Sequence, residues 1–383
     1  MRKRLVLAAL GAALLLLSNP SRPAETFGDA PVRSERATFR VATFATGLDR
    51  LWGAALLPDG RLLVTERAGR VRVVDRDGRV SPPLGGAPPV AASDWEGGLL
   101  DIALAPDFGA TREVYLCHGA LAGDGVLTRL TRARLAPDAT ALEGAMPVLD
   151  AVPAQAEDLR HFGCRIAFGP RDGKLYLSTG ERLARRWRAQ RLDDLAGKVL
   201  RLERDGRPAA GNPFLGRPGV RPEIYTYGHR NPQGLAFNPW TGSLWEAEFG
   251  PRGGDEVNIL HPGRNYGWPL VSHGTEEDGT AISARPSAPG VEDPVWVWTQ
   301  AVSPSGIAFY DGGAFPGWRG SLFLAALNEP GLVRLSTEGD RATGEERLLW
   351  GLVRFRHVLP GPEGHLYVLT DGPDGRILRL EPP

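Results

Sequence analysis

One short pattern recurs along the chain and constrains its fold more than any other feature. Each copy begins with a turn containing Pro or Gly and a polar tip, and continues into an apolar strand with β-branched or aromatic residues. The six copies lie at residues 58–66, 106–116, 170–178, 238–246, 315–324 and 361–370. A further apolar strand follows several copies closely, at 71–75, 199–202, 332–335 and 377–380.

Six such units predict an all-β chain folded as a six-bladed β-propeller. A single unit cannot bury its own apolar face, but stacking neighbouring units around an axis buries the apolar faces of all of them. The 49 glycines and 33 prolines among 383 residues supply the turns that so many short strands need. A β-sandwich is the competing architecture, but it gives no reason for the recurring pattern. In a propeller, we expect functional residues on the loops around the central channel.

The N-terminus resembles a targeting segment. Residues 1–4 are cationic, and residues 5–17 are an unbroken run of apolar and small residues. This run is too short to span a bilayer of about 30 Å as a helix, but it fits the apolar region of a signal peptide. We predict a signal peptide over 1–23, a linker over 24–38 and one propeller domain over 39–383. A retained N-terminal anchor is the alternative.

Export would place the mature protein in the periplasm or outside the cell, with no membrane span. In that oxidising setting Cys117 and Cys164 could form one disulfide, or they could remain two buried thiols. The charge balance is neutral, with 45 Lys and Arg against 45 Asp and Glu. Neutrality argues against a nucleic-acid partner, since such binders carry a basic surface.

Four polar segments interrupt the repeat, at 161–169, 227–237, 248–269 and 354–356. Arginine side chains in two of them offer planar forks of donors suited to carboxylates. A Gly-rich acidic loop in the third offers the oxygen ligands that calcium prefers, although its spacing is not that of an EF-hand. Turns and solvated loops would explain each segment singly. Together they indicate an anionic ligand and a cation in the channel.

In this order the motifs resemble those of the glucose/sorbosone dehydrogenase family, and in particular the soluble aldose sugar dehydrogenases. The resemblance rests on GHRNPQGLAF at 228–237, on the GP…GGDE loop at 250–256 and on NYGWP at 265–269. It implies an exported six-bladed propeller that uses pyrroloquinoline quinone (PQQ) and Ca²⁺. It covers the chain from about residue 39 to the C-terminus.

The resemblance also implies roles for individual residues. His161 matches the general base that takes the proton from the C1 hydroxyl of an aldose while hydride passes to the quinone. The matched positions that bind the cofactor are Arg230, Asn231, Arg354 and Arg356. The matched calcium ligands are Gly250 and Pro251, through carbonyls beside the quinone, and Glu256 and Tyr266 at a second, structural site.

Three positions depart from the family pattern. Glu96 stands where a glutamine usually touches the cofactor, and Asn328 stands where a lysine usually lies close to the quinone. The stretch 274–278 supplies no cofactor-stacking tyrosine. Since the cofactor carries three carboxylates, a lost cation and an added carboxylate weaken the field that holds it.

Three functions follow. The first is a quinoprotein dehydrogenase that oxidises an aldose to its lactone and passes electrons to an external acceptor, as a monomer or homodimer. The second is a propeller that keeps affinity for calcium and carbohydrate but has lost redox chemistry. The third is a calcium-dependent hydrolase of the lactonase type, which leaves Arg354 and Arg356 without a role.

Overall fold

The computed structural model describes residues 30–93 and 96–383. The predicted signal peptide and Trp95 therefore lie outside the described residues. Within these ranges the regular secondary structure is nearly all strand, with one short α-helix and two 3₁₀ helices, Arg186–Gln190 and Pro316–Trp318. No helix of the described residues is long and apolar enough to cross a membrane.

The first half of the chain forms two leading strands and three blades. The leading strands are β1 (Val32–Arg33) and β2 (Thr38–Leu48). Blade 1 contains β3 (Leu51–Leu56), β4 (Leu62–Glu66) and β5 (Arg70–Val74). Blade 2 contains β6 (Leu99–Leu104), α1 (Phe108–Thr111), β7 (Glu113–Ala122), β8 (Gly125–Leu135) and β9 (Leu142–Asp150). Blade 3 contains β10 (Gly163–Phe168), β11 (Leu175–Thr179), β12 (Lys198–Leu202) and β13 (Ile224–Tyr227).

The second half forms the other three blades. Blade 4 contains β14 (Pro232–Phe237), β15 (Leu244–Glu248), β16 (Asp255–Leu260) and β17 (Trp296–Trp298). Blade 5 contains β18 (Pro304–Phe309), β19 (Leu322–Ala326), β20 (Gly331–Glu338) and β21 (Arg341–Leu348). Blade 6 contains β22 (Phe355–Pro360), β23 (Leu366–Thr370) and β24 (Gly375–Glu381), and β2 and then β1 add to its outer side.

The predicted six-bladed propeller is confirmed. Each copy of the sequence pattern spans the turn between the first two strands of a blade and the second strand itself. The ring closes because β2 pairs with β24, which joins the N-terminal strand to the C-terminal blade. Residues 32–33, inside the predicted linker, pair with β2 instead.

Burial explains why the repeating pattern is so apolar. The second strand of each of blades 1, 3, 4, 5 and 6 is buried at every residue. A strand covered on both faces reads as a nearly continuous apolar run, rather than an alternating one. Six apolar clusters fill the six interfaces between neighbouring blades. The core is therefore a ring of blade interfaces.

The two cysteines form a disulfide between blades 2 and 3. Cys117 on β7 bonds to Cys164 on β10, with 5.5 Å between the Cα atoms. Of the two alternatives that the sequence left open, the structure has the disulfide. The bond joins the second strand of one blade to the innermost strand of the next.

Candidate active site

The predicted site residues gather at one face of the propeller, which we call the upper face because all innermost strands begin there. Each of the six innermost strands, β3, β6, β10, β14, β18 and β22, has a register break near its first residue. Such bulges re-aim side chains at strand ends. The second strand of each blade ends at the same face, so these two positions meet above the channel.

An acidic residue at the end of the second strand accepts hydrogen bonds from the start of the innermost strand in four blades. In blade 1, Glu66 accepts the amide of Asp49. The other acceptors are Glu181 in blade 3, Glu248 in blade 4 and Asp371 in blade 6. The repeat thus places one carboxylate beside each predicted functional segment.

The larger cavity of this face, of about 110 Å³, is lined by three arginines, Arg67, Arg354 and Arg356. We call them the arginine cluster. Glu96 lines the same cavity. Burial and the charge of Arg356 both lower the pKa of Arg67. A cavity with this excess of positive charge suits an anion.

Asp371 holds two members of the arginine cluster. It accepts Nε of Arg354 at 3.0 Å and both Nε and Nη2 of Arg356, at 3.2 and 3.0 Å. Burial opposes its ionisation, yet the two arginines keep the pKa of Asp371 below its usual value. Arg356 also donates to Oε1 of Gln233 at 2.8 Å. The arginine pair therefore meets an anion of the chain itself, which the sequence did not reveal.

His161 is buried beside this cavity and bonds to a carboxylate. Its Nδ1 lies 2.8 Å from Oε2 of Glu181, which is fully buried. Burial alone would raise the pKa of Glu181, but the charge and hydrogen bond of His161 bring it below its usual value. An ionised Glu181 makes Nδ1 the protonated nitrogen and leaves Nε2 as the proton acceptor. This is the arrangement that a general base needs.

The backbone around His161 is strained and held at three points. His161 has φ of 53°, Gly163 of 63° and Cys164 of 76°, all in the left-handed region. A residue other than glycine held there costs on the order of 1 kcal/mol or more. The amide of His161 donates to Oε2 of Glu96, and that of Gly163 donates to Oδ1 of Asn231. The disulfide of Cys164 is the third restraint.

A smaller cavity, of about 20 Å³, lies against blade 4. It is large enough for one water molecule or ion. Three of the four predicted calcium ligands line it, Gly250, Glu256 and Tyr266, and so does Glu248. Pro251 is half-buried and is not part of the lining. Phe249 lines both cavities.

Carboxylates dominate this side of the channel. Glu246, Glu248 and Glu256 project from one face of the β15–β16 ladder, where Glu248 pairs directly with Glu256. We call these three the carboxylate cluster. Burial raises the pKa of Glu248 to about 8, in spite of the amides of Arg230 and Asn231 that donate to it. Burial and the charge of Glu248 raise the pKa values of the other two well above the usual range.

Arg230 and Asn231 each present a buried donor with no partner. Nη1 of Arg230 donates to the carbonyls of Phe249 and Gly250, at 3.1 and 2.6 Å. Its Nε and Nδ2 of Asn231 have no partner among the described residues. Buried donors without partners are rare in folded proteins and mark places where a ligand can accept a hydrogen bond.

Asn328 lies apart from both cavities. Its side chain is exposed and donates to the carbonyl of Ala301 at 3.2 Å, while its neighbour Leu327 lines the larger cavity. Of the predicted residues, the structure therefore brings Glu96, Arg354 and Arg356 around one cavity and Arg230 with three calcium ligands around the other. His161 and Asn231 lie beside them.

Comparison with known proteins shows the family of the chain. The glucose/sorbosone dehydrogenase family model matches residues 48–379. The chain belongs to the glucose/sorbosone dehydrogenase family. Within it, the aldose sugar dehydrogenase YliI of Escherichia coli is 40% identical over 353 residues, which cover 90% of this chain and 94% of that protein.

Two solved structures from this family are similar over almost the whole propeller. The soluble aldose sugar dehydrogenase of E. coli, in its apo form, matches with a TM-score of 0.86 and 38% identity, covering 90% of this chain and 100% of that chain. The PQQ-bound form of the aldose sugar dehydrogenase of Streptomyces coelicolor matches with a TM-score of 0.75 and 35% identity, covering 92% and 99%.

Sequence reasoning missed four residues of the site: Arg67, Glu181, Gln233 and Asp371. Asp371 had a signal, because it follows directly after the second strand in the sixth copy of the repeat. Glu181 lies two residues after the second strand of blade 3, so comparing the residue after each strand would not have found it. Arg67 follows Glu66 at the same place in blade 1. Gln233 carried no comparable signal.

Proposed function

We propose that the protein is a quinoprotein dehydrogenase that oxidises the C1 hydroxyl of an aldose to the lactone. The single observation that supports it best is the His161–Glu181 pair beside a cavity lined by three arginines. A base and an anion site in contact with one channel match the chemistry that the family resemblance implies. The overall reaction would also need an external electron acceptor.

The residues fit an anionic cofactor with several carboxylates. The arginine cluster would hold it, and the unpaired donors of Arg230 and Asn231 would add hydrogen bonds. Gly250, Glu256 and Tyr266, with Glu248, would hold Ca²⁺ in the smaller cavity, since all offer oxygen ligands. When bound, pyrroloquinoline quinone supplies the acceptor for the hydride that leaves C1.

The chain itself would handle the proton. Nε2 of His161 would accept the proton of the C1 hydroxyl as the hydride leaves, so that the sugar loses both hydrogens and becomes a lactone. Glu181 would stabilise the imidazolium that forms, because its carboxylate is already bonded to Nδ1. Glu96 and the disulfide would fix the ring by restraining its left-handed backbone.

A binding protein without redox chemistry is the second candidate. Asn328, exposed and outside the cavity, favours it, because no cation stands at the position where the family usually has a lysine. An export signal over residues 1–23 and a periplasmic or secreted location belong to either proposal.

One titration separates the two candidates. Purified protein is mixed with quinone and calcium, and the quinone absorbance is followed with and without an aldose. We expect saturable binding and bleaching by the sugar, with dye-linked turnover. Quinone binding without bleaching would favour the binding protein. Absence of quinone binding would show that the arginine cluster does not hold this cofactor in either candidate.

A further inference from the structure

The deepest part of the carboxylate cluster has the composition of a second kind of metal site. His229 Nδ1 lies 3.2 Å from Oε1 of Glu248 and 3.9 Å from Oε2 of Glu246. The ligand atoms of these three residues all lie within 4.8 Å of one another. His229 and Glu246 have no exposed surface, and Glu248 has almost none. Neither His229 nor Glu246 lines the smaller cavity where calcium is expected.

The charges of Glu246 and Glu248 are not balanced by the surrounding side chains. The ion pairs that Glu246 and Glu248 form among the described residues are with His229. Arg230 turns its guanidinium toward main-chain carbonyls and gives Glu248 only its backbone amide. Lys198 donates its three hydrogens to the carbonyls of residues 188, 189 and 196. A buried carboxylate without a counter-charge is unfavourable, and a cation between Glu246 and Glu248 would supply that counter-charge.

Unpartnered oxygens point to a ligand. Oε1 of Glu246 and Oδ1 of Asn258 are buried and have no hydrogen-bond partner in the part of the chain that the structure describes. Asn258 is opposite Glu246 on the facing strand and donates to it through Nδ2 at 3.0 Å. Buried oxygens are otherwise nearly always satisfied. One unsatisfied acceptor thus belongs to the group around His229 and the other to a residue bonded to Glu246, and a bound cation would satisfy such oxygens.

We propose that His229, Glu246 and Glu248, with Asn258, bind a divalent transition-metal ion of the Zn²⁺ or Mn²⁺ class. A histidine nitrogen in the ligand set favours such an ion over calcium, which takes oxygen ligands. Tetrahedral zinc holds its ligands at about 2.0–2.2 Å, so ligand atoms lie about 3.4 Å apart. The separations of 3.2 and 3.9 Å are close to this spacing.

The surroundings of His229 suit ligation through Nδ1. Its Nε2 lies 2.8 Å from Oγ1 of Thr226, which can accept a hydrogen bond from Nε2–H when Nδ1 binds a metal. Such an outer partner fixes the tautomer of a ligating histidine. The ring of Tyr266 stacks on His229, with 4.8 Å between the ring centroids, and so holds the plane of the imidazole.

The test measures Zn²⁺ retained by the untagged full chain without quinone, so it does not depend on the proposed dehydrogenase function. Protein stripped with chelator is given Zn²⁺ in the presence of excess Ca²⁺, which occupies sites made of oxygen alone, and is then desalted. We expect one equivalent of Zn²⁺ in the wild type and almost none in Glu246→Gln.

Glu66→Gln is the matched control. Glu66 is a buried glutamate at the position of blade 1 that Glu248 has in blade 4, but Arg70 and Arg72 balance its charge. We expect this variant to keep the full equivalent. No retained Zn²⁺ in the wild type, or equal retention in Glu246→Gln, would overturn the proposal.

A second measurement covers the case in which Glu246→Gln does not fold. Co²⁺ is bound to the wild type under the same conditions and its visible spectrum is compared with that of His229→Gln. A spectrum typical of a nitrogen-containing site of low coordination number, lost in His229→Gln, is the expected result. A six-coordinate, all-oxygen spectrum in the wild type would contradict the assignment.

Discussion

The two sides of the channel carry opposite charge imbalances. On one side, the arginine cluster is opposed by Asp371 and Glu96. On the other, the carboxylate cluster is buried, and its partners are a histidine, two backbone amides and the side-chain amide of Asn258. In blade 1 the same fold balances a buried glutamate with its own arginines. A blade of this fold can therefore balance a buried charge with its own side chains. Where the charges of the arginine cluster or the carboxylate cluster are not balanced in this way, a ligand of opposite charge is indicated.

The largest effect should come from replacing His161. His161→Ala is expected to lower turnover by about 10²–10⁴-fold, which is the usual contribution of a positioned base. Quinone affinity should change little, because the arginine cluster is intact. Steady-state kinetics with a dye acceptor measure the first quantity, and absorbance titration measures the second.

Glu181→Gln is the companion to this variant. An amide keeps the shape but removes the charge that stabilises the imidazolium, so turnover should fall less than in His161→Ala while the quinone affinity stays the same. Near-full sugar oxidation by His161→Ala would show that His161 is not the general base, whichever side of the channel binds the cofactor.

The arginine side can be tested by truncating Arg356. A hydrogen bond to a charged group contributes about 1.5–3 kcal/mol, so Arg356→Ala should weaken quinone binding by about 10- to 150-fold. Asp371 loses a partner in this variant, so the apo protein should also unfold at a lower temperature.

Arg129→Ala serves as the control, since Arg129 makes a similar two-contact pair with Asp150 in blade 2. It should lower stability without changing quinone affinity. Unchanged affinity in Arg356→Ala would show that the positive side does not bind the cofactor.

The carboxylate side can be tested by adding calcium to chelator-treated protein. A cation bound only by the folded state stabilises it by about 2.7 kcal/mol at 100 times its Kd. We expect calcium to raise the thermal unfolding temperature of the wild type and to do so much less in Glu256→Gln. Glu66→Gln should be less stable but keep the whole calcium increment. An undiminished increment in Glu256→Gln would exclude the smaller cavity as the calcium site.

The smallest effect should come from restoring the family's lysine. Asn328 is exposed, so a new charge there acts through water, where unit charges about 4 Å apart attract by about 1 kcal/mol. Asn328→Lys should therefore tighten quinone binding by about fivefold at most. The neutral Asn328→Gln is its control. Weaker binding in the lysine variant would indicate that this edge of the cavity serves another ligand.

The fold could be predicted from the sequence because each copy of the pattern forms the same local structure. In five of the six blades, a copy is a turn followed by a strand buried at every residue, so composition and turn chemistry suffice. The closure of blade 6 by β2 joins residues at opposite ends of the chain, and no local signal specifies it.

The site was only partly predictable for a similar reason. His161, Arg354 and Arg356 stand in recognisable motifs, but their partners Glu181 and Asp371 come from other strands of the same blades. The exposure of Asn328 also depends on how its loop lies against residue 301. A motif identifies a candidate residue, but only the three-dimensional fold shows which charged groups lie close enough to balance its charge.

Because the two ends of the chain close the ring, the two charged clusters are completed at different stages of synthesis. A chain under synthesis has already produced β15 and β16, with every member of the carboxylate cluster, when residues 354–371 are still missing. The arginines of blade 6 and Asp371 appear in the last strands, and β2 must wait for β24 before the ring can close. The order of synthesis thus means that every residue of the carboxylate cluster is present well before the arginine cluster, which is complete only in a finished chain.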